Sequence, residues 1–245
     1  MISLAIDRGN TKSKIGAFDG SVLVESVVCA HADFKDRLTD IIQLHAVNAV
    51  ICSSVDRGFR LSSLPVEIQC LTLDASTPLP VRNAYQTPQT LGPDRLAAAI
   101  GAWSICPDKD LLIIDAGTCI TYDILEKNGT YLGGSISPGL HARLRSLSTQ
   151  TTALPDVAFR KFPALTGQNT EECILSGVWN GMNFEMRGFI DSYLTRYSDL
   201  TVFITGGDAA AFDIPPNNRI FAEPALVLKG LIAILQYNLD IHHEK

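Results

Sequence analysis

The sequence predicts an α/β protein made of two related halves, and three observations carry that reading. A short apolar strand, an Asp-x-Gly turn and a returning strand occur over residues 3–18 and again over 110–125, with Asp7 and Asp115 about 108 positions apart. Strand-like runs alternate with stretches of helical spacing along the whole chain. Of 245 residues, 46% are hydrophobic and 19% charged, the balance of a chain that buries a core.

The elements follow in order. Residues 3–6, 13–18 and 21–29 read as three strands of a meander, with the turn Asp7-Arg8-Gly9-Asn10-Thr11 between the first two. Residues 34–45 carry helical spacing through Phe34, Leu38, Ile41 and Ile42, and residues 49–52 and 64–73 read as strands. Four prolines between Thr77 and Pro93 mark a loop, and Pro93 with Asp94 suits the start of an alanine-rich helix over 94–103. The opening pattern then restarts with a strand at 110–114, the turn Asp115-Ala116-Gly117-Thr118 and a strand at 120–125. Asn128-Gly129 signals a hairpin turn into a strand over 131–139. Helices are expected over 171–194, capped by Thr170, and over 223–239, with Pro224 at the first position. A strand over 202–204 ends in Thr205-Gly206-Gly207-Asp208. The halves divide at 1–104 and 105–245.

A net charge of −6 gives no basic face for nucleic acid, so no nucleic-acid partner is expected. No apolar run is long enough to span a membrane, and the N-terminus lacks a signal-peptide pattern. The six cysteines form no C-x-x-C pair and are expected as reduced, buried thiols of a cytoplasmic protein. His242-His243-Glu244 reads as a frayed tail, and His31, His45 and His141 are isolated and carry no expected role.

Each Asp turn admits two readings, a plain turn or a clamp for a nucleotide. Glycine two places after the Asp lets backbone approach a ligand, and the following N–H groups and hydroxyls suit phosphate oxygens. An Asp at a strand end can hold hydrated Mg²⁺ or a monovalent cation. Lys14 is either a solvated strand lysine or a charge for a β- or γ-phosphate. Gly206-Gly207 is either a sharp turn or a platform for a flat ring. Gly92-Pro93-Asp94-Arg95 is either an ordinary helix start or a base and an anion-binding group at a cleft. There is no Walker A sequence and no G-x-G-x-x-G, so any ATP site here is not a P-loop.

Taken in order, Asp7-Arg8-Gly9-Asn10-Thr11, Gly92-Pro93-Asp94-Arg95, Asp115-Ala116-Gly117-Thr118, Gly133-Gly134-x-Ile136-x-Pro138-Gly139, Thr170 and Thr205-Gly206-Gly207-Asp208 resemble type III pantothenate kinase, of the acetate-kinase and actin-like superfamily. The resemblance spans nearly the whole chain. It implies two RNase H-like (actin-like ATPase) halves with ATP in a cleft between them, and a homodimer whose pantothenate site is completed at the subunit interface. It implies phosphorylation of pantothenate by ATP with Mg²⁺, the first step of coenzyme A synthesis. By position, Asp7, Arg8, Gly9, Asn10, Thr11, Lys12, Ser13 and Lys14 form the phosphate-binding segment and Thr118 contacts ATP. Asp94 is the general base. Tyr85, Gly92, Pro93, Asp94, Arg95 and Thr170 contact pantothenate, and Asp115 binds K⁺ or NH₄⁺. Arg8 stands where the family often has an apolar or small polar residue, Cys119 where it often has Ala, and the Lys14 position varies. A kinase for another hydroxyl compound such as a sugar, and a nucleotide-binding regulator without turnover, are the competing readings.

Overall fold

A computed structural model describes residues 1–56, 58–61, 64–160, 162–209, 212 and 219–243, the last two without their side chains. The tail Glu244 and the side chains of His242 and His243 therefore lie outside the described residues. Two compact units interleave along the chain. Unit 1 holds Met1–Asp108, Leu125–Gly133 and Ala225–Lys245, and unit 2 holds Lys109–Ile124 and Gly134–Pro224.

Unit 1 begins with β1 (Ile2–Arg8), β2 (Ser13–Asp19) and β3 (Val22–Cys29), an antiparallel meander. Helix α1 (Phe34–Leu44) crosses over to β4 (Val47–Ser54), which pairs parallel with β1, and β5 (Gln69–Thr72) pairs parallel with β4. The sheet order is β3-β2-β1-β4-β5. Leu4, Ile6, Ile15, Val50 and Cys52 face α1, which buries Phe34, Leu38 and Ile41, the spacing read from the sequence. The strand expected over 64–73 shrinks to the four residues Gln69–Thr72. Pro65 brings no N–H to a ladder, and Ile68 N instead bonds Pro65 O in a turn. A two-residue strand, β6 (Arg82–Asn83), interrupts the proline-rich loop. Helix α2 (Pro93–Ile105) starts with Gly92 as N-cap and Pro93 at the first position. It is alanine-rich because it is covered on nearly all sides.

Unit 2 repeats the plan. Its strands are β7 (Asp110–Ala116), β8 (Cys119–Glu126) and β9 (Thr130–Pro138). Helices α3 (Leu140–Gln150) and α4 (Thr170–Arg196) follow, and then β10 (Leu200–Thr205) and β11 (Ile220–Ala222). The order β9-β8-β7-β10-β11 matches that of the first sheet strand for strand, with β7–β10 and β10–β11 parallel. The tip of the β8–β9 hairpin belongs to unit 1, where Thr130 and Tyr131 pair with β6. Leu112, Ile114, Tyr122, Met182, Met186 and Val202 form the core under α3 and α4. Arg143 on α3 bonds Glu185 on α4 at 2.6 Å, and Tyr122 donates to the same carboxylate at 3.0 Å. Burial pushes Glu185 up, but its hydrogen bonds from Arg143, Ser137 and Tyr122 win and hold it below the usual range.

Helix α5 (Leu226–His243) returns to unit 1 and packs on α2 and on β1. A Cβ at Gly101 would stand 2.2 Å from Leu226 O, and one at Gly230 would stand 1.7 Å from Ala97 O. The two glycines are what let these helix backbones touch.

Three expectations need correction. Asn169, not Thr170, caps α4: its side chain accepts from Glu172 N at 2.9 Å. Pro224 is not the first residue of the last helix, because Glu223 N bonds Ile204 O and the chain turns before Leu226. The cysteines are all free, but only Cys29 and Cys52 are buried. Cys70, Cys119 and Cys173 are exposed because strand alternation and the outer face of α4 turn them outward. Burial pushes the Cys52 thiol up to about 12. Met182 and Met186 are core, while Phe184 is 58% exposed. No helix among the described residues is long and apolar enough to cross a membrane.

Candidate active site

In unit 1, strand register builds a row of side chains around Asp7. Asp7 lies opposite Lys14 on β2 and opposite Ser53 on β4, so the three share one face of the sheet, the face covered by α2 and α5. Asp7 is buried, and Ser53 is 1% exposed with its hydroxyl lacking a hydrogen-bond partner among the described residues. Alternation sends the neighbours of Asp7 and Lys14 the other way. Arg8 and Ser13 face α1, and the Arg8 guanidinium lies 4.5 Å from the Phe59 ring centroid and 5.7 Å from that of Phe34. The structure thus separates Arg8 from Asp7. The turn itself is tight: Gly9 N bonds Lys12 O at 3.1 Å, and Asn10, Thr11 and Lys12 stand exposed.

Asp94 occupies the first turn of α2, where the helix end favours a negative charge. Its Oδ1 accepts from Arg95 N at 2.9 Å, and a Cβ at Gly92 would meet that same oxygen at 2.5 Å. Glycine at 92 therefore makes room for the carboxylate. Arg95 is 7% exposed, with its guanidinium 5.8 Å from the Tyr85 ring. Tyr85 lies against Gly133, whose φ of 98° and 2.7 Å clearance exclude a side chain. Unit 1 thus brings Tyr85, Gly92, Pro93, Asp94 and Arg95 together. Gly92 and Pro93 also line a cavity of about 580 Å³ with Arg60, Asn83 and Leu91.

In unit 2, Asp115 pairs in register with Thr205 on β10, the counterpart of Asp7 with Ser53. Thr205 is likewise 1% exposed, its hydroxyl without a hydrogen-bond partner among the described residues. The Gly206-Gly207 step clasps this turn. Gly206, at φ 99°, would place a Cβ 2.1 Å from Ala116 O and 2.5 Å from Asp115 Oδ1, and Asp208 N bonds Ala116 O at 2.9 Å. Gly207 has nothing within 4 Å of its Cβ position, so the open platform is at the second glycine. Burial raises the Asp208 carboxyl, with His141 pulling it back. Thr118 is exposed at the turn, and its carbonyl accepts from Gly139 N at 3.1 Å. Thr170 lines a separate cavity of about 530 Å³ with Arg143, Cys173 and Ile174.

Among the described residues no three His, Cys, Asp or Glu side chains cluster as a metal cage. Single carboxylates beside hydroxyls suit Mg²⁺ held chiefly by nucleotide phosphates. Sequence reading gave Ser53 no role, and it saw Thr205 only as the head of the Thr-Gly-Gly-Asp motif, not as the partner of Asp115. Their shared signal was a hydroxyl residue at or next to the end of each strand parallel to an Asp strand.

Comparison with known proteins gives the family and the fold. A family model described as type III pantothenate kinase matches residues 3–192. A relative from Bacteroides fragilis, named type III pantothenate kinase, is 43% identical over 243 residues, covering 97% of this chain and 98% of its own. Another of the same name from Christiangramia forsetii is 42% identical, covering 97% and 99%. Among solved structures, the activator of the 2-hydroxyisocaproyl-CoA dehydratase from Clostridium difficile with bound ADPNP aligns with a TM-score of 0.58 at 14% identity. That match covers 100% of this chain and 98% of that one, and it shows a common fold. Two sheets of one topology, each with an Asp turn after its central strand, are the α/β architecture of the actin-like kinases, and the chain belongs to the type III pantothenate kinase family.

Proposed function

We propose that the protein transfers the γ-phosphoryl group of ATP to the hydroxyl of pantothenate, giving 4′-phosphopantothenate and ADP in the first step of coenzyme A synthesis. One observation carries the reading. Asp94 starts the helix that packs on the very sheet face bearing Lys14, Asp7 and Ser53. Asp94 takes the proton of the substrate hydroxyl as its oxygen bonds to phosphorus and the bond to the ADP oxygen breaks. The N–H groups of the turn after Asp7, with Lys14, hold the phosphates. Bound Mg²⁺ would neutralise phosphate charge, with Asp7 the carboxylate beside it. Thr118 contacts ATP, and Asp115 with its neighbouring hydroxyl holds K⁺ or NH₄⁺.

Tyr85, Gly92, Pro93, Arg95 and Thr170 contact pantothenate, Arg95 as the group for an anionic substrate. The repeat divides the chain at 1–104 and 105–245. A homodimer in the cytoplasm fits the exposed Leu165 and Phe184 of unit 2, apolar side chains that a partner copy would cover.

The test is ADP release from Mg²⁺-ATP with pantothenate, run in K⁺ and in Na⁺. Turnover with pantothenate is expected, and Asp94→Asn should lower kcat by roughly 10²-fold or more while the melting temperature holds. Release with a sugar alone would make this another small-molecule kinase. Tight ATP binding with no release for any hydroxyl compound would make it a regulator.

A further inference from the structure

We propose that His31 is a positioning residue for the phosphate turn, an inference that rests on the turn's reading as the phosphate-binding segment. His31 follows the end of β3, whose last residue, Cys29, pairs with Ser13 at the start of β2. This carries the imidazole to the back of the turn, on the sheet face opposite Asp7 and Lys14. His31 Nδ1 lies 3.0 Å from Ser13 Oγ, and Nε2 lies 3.4 Å from Asn10 O. The chemistry of the partners orders the protons. A carbonyl only accepts, so Nε2 carries the hydrogen toward Asn10, and Nδ1 accepts from the Ser13 hydroxyl. Ser13 is fully buried, so it is a fixed anchor, whereas Asn10 is the exposed shoulder of the turn.

The turn needs such a brace. Asn10, Thr11 and Lys12 are exposed, and one backbone bond, Gly9 N to Lys12 O, closes the loop from within. N–H groups aimed at a phosphate bind it well only if they are ordered beforehand. His31 ties the shoulder of the turn to a buried hydroxyl of the sheet without occupying the face where the phosphates would sit. Loss of the ring should therefore act on ATP and leave the other substrate alone.

The experiment is steady-state kinetics on the full chain with Mg²⁺-ATP and pantothenate. His31→Ala should raise KM for ATP about tenfold, with kcat and KM for pantothenate within about twofold and an unchanged melting temperature. His31→Gln places an amide N–H near the Nε2 position, can still donate to Asn10 O, and should restore part of the loss. His31→Asn keeps only an acceptor near the Nδ1 position, leaves Asn10 untied, and should restore less. A double variant, Thr11→Val with Lys14→Ala, runs alongside. If it raises KM for ATP and His31→Ala does not, the role of His31 is overturned and the phosphate reading stands. If neither moves KM for ATP, the phosphate reading fails and takes this inference with it. Equal losses in kcat and both KM values for His31→Ala, unrescued by Gln, would mark a merely structural residue and also overturn the proposal.

Discussion

The turns at Asp7 and Asp115 sit at the same point of two sheets with the same strand order, each beside a buried hydroxyl on the neighbouring parallel strand. They are furnished differently. The first turn has Lys12 and Lys14 after its Asp, with Arg8 turned to the other sheet face, while Asp115 is followed by Ala116, Gly117, Thr118 and Cys119, with no basic residue. The first is steadied by a histidine behind it. The second is clasped by backbone, through Gly206 and the N–H of Asp208. A duplicated scaffold has diverged in charge. One copy suits an anion, and the other keeps a carboxylate that suits a cation.

The clasp gives the largest expected effect. Gly206→Ala should destabilise the protein by about 3 kcal/mol or more, since its Cβ meets backbone and its φ is positive. Gly9→Ala should change stability by less than about 1 kcal/mol, because its nearest contact is Lys12 O at 3.5 Å. Thermal melts of the two would break the comparison if they came out equal. Next comes charge. Lys14→Ala should raise KM for ATP about tenfold in either cation, whereas Asp115→Asn should remove the stimulation by K⁺ over Na⁺. Crossed outcomes in that assay would exchange the assignments of the turns.

The smallest effects concern the shared hydroxyls. Ser53→Ala and Thr205→Val each remove a buried hydroxyl that lacks a hydrogen-bond partner among the described residues, so each should stabilise the free protein by about 1 kcal/mol. On the proposed assignments, Ser53→Ala should also weaken ATP binding and Thr205→Val the response to K⁺. A loss of stability in either melt would mean the hydroxyl is already satisfied.

Much of this was legible in local pattern. The meander, both Asp turns, the Phe34–Leu38–Ile41 helix face and the Gly-Pro-Asp helix start all follow from short-range rules, and the motifs in order carried the family. What escaped depended on distant pairing. The Asp7–Ser53 and Asp115–Thr205 rows exist only once parallel strands are in register. The three-residue β11 is too short for any periodicity to speak. Helix α3 did show its apolar spacing, Leu140, Leu144 and Leu147, but its polar remainder and flanking turns hid it. His31 looked isolated because its partners are 18 and 21 positions away.

The return of α5 to unit 1 has a consequence for folding. Strand β1 and the helix that covers one face of its sheet lie far apart along the chain. Until that helix docks, α2 presents the surface around Gly101 to water, and unit 1 stays incompletely covered. Unit 1 is therefore closed by a contact of large sequence separation, whose loop-closure entropy is spent before the contact is made.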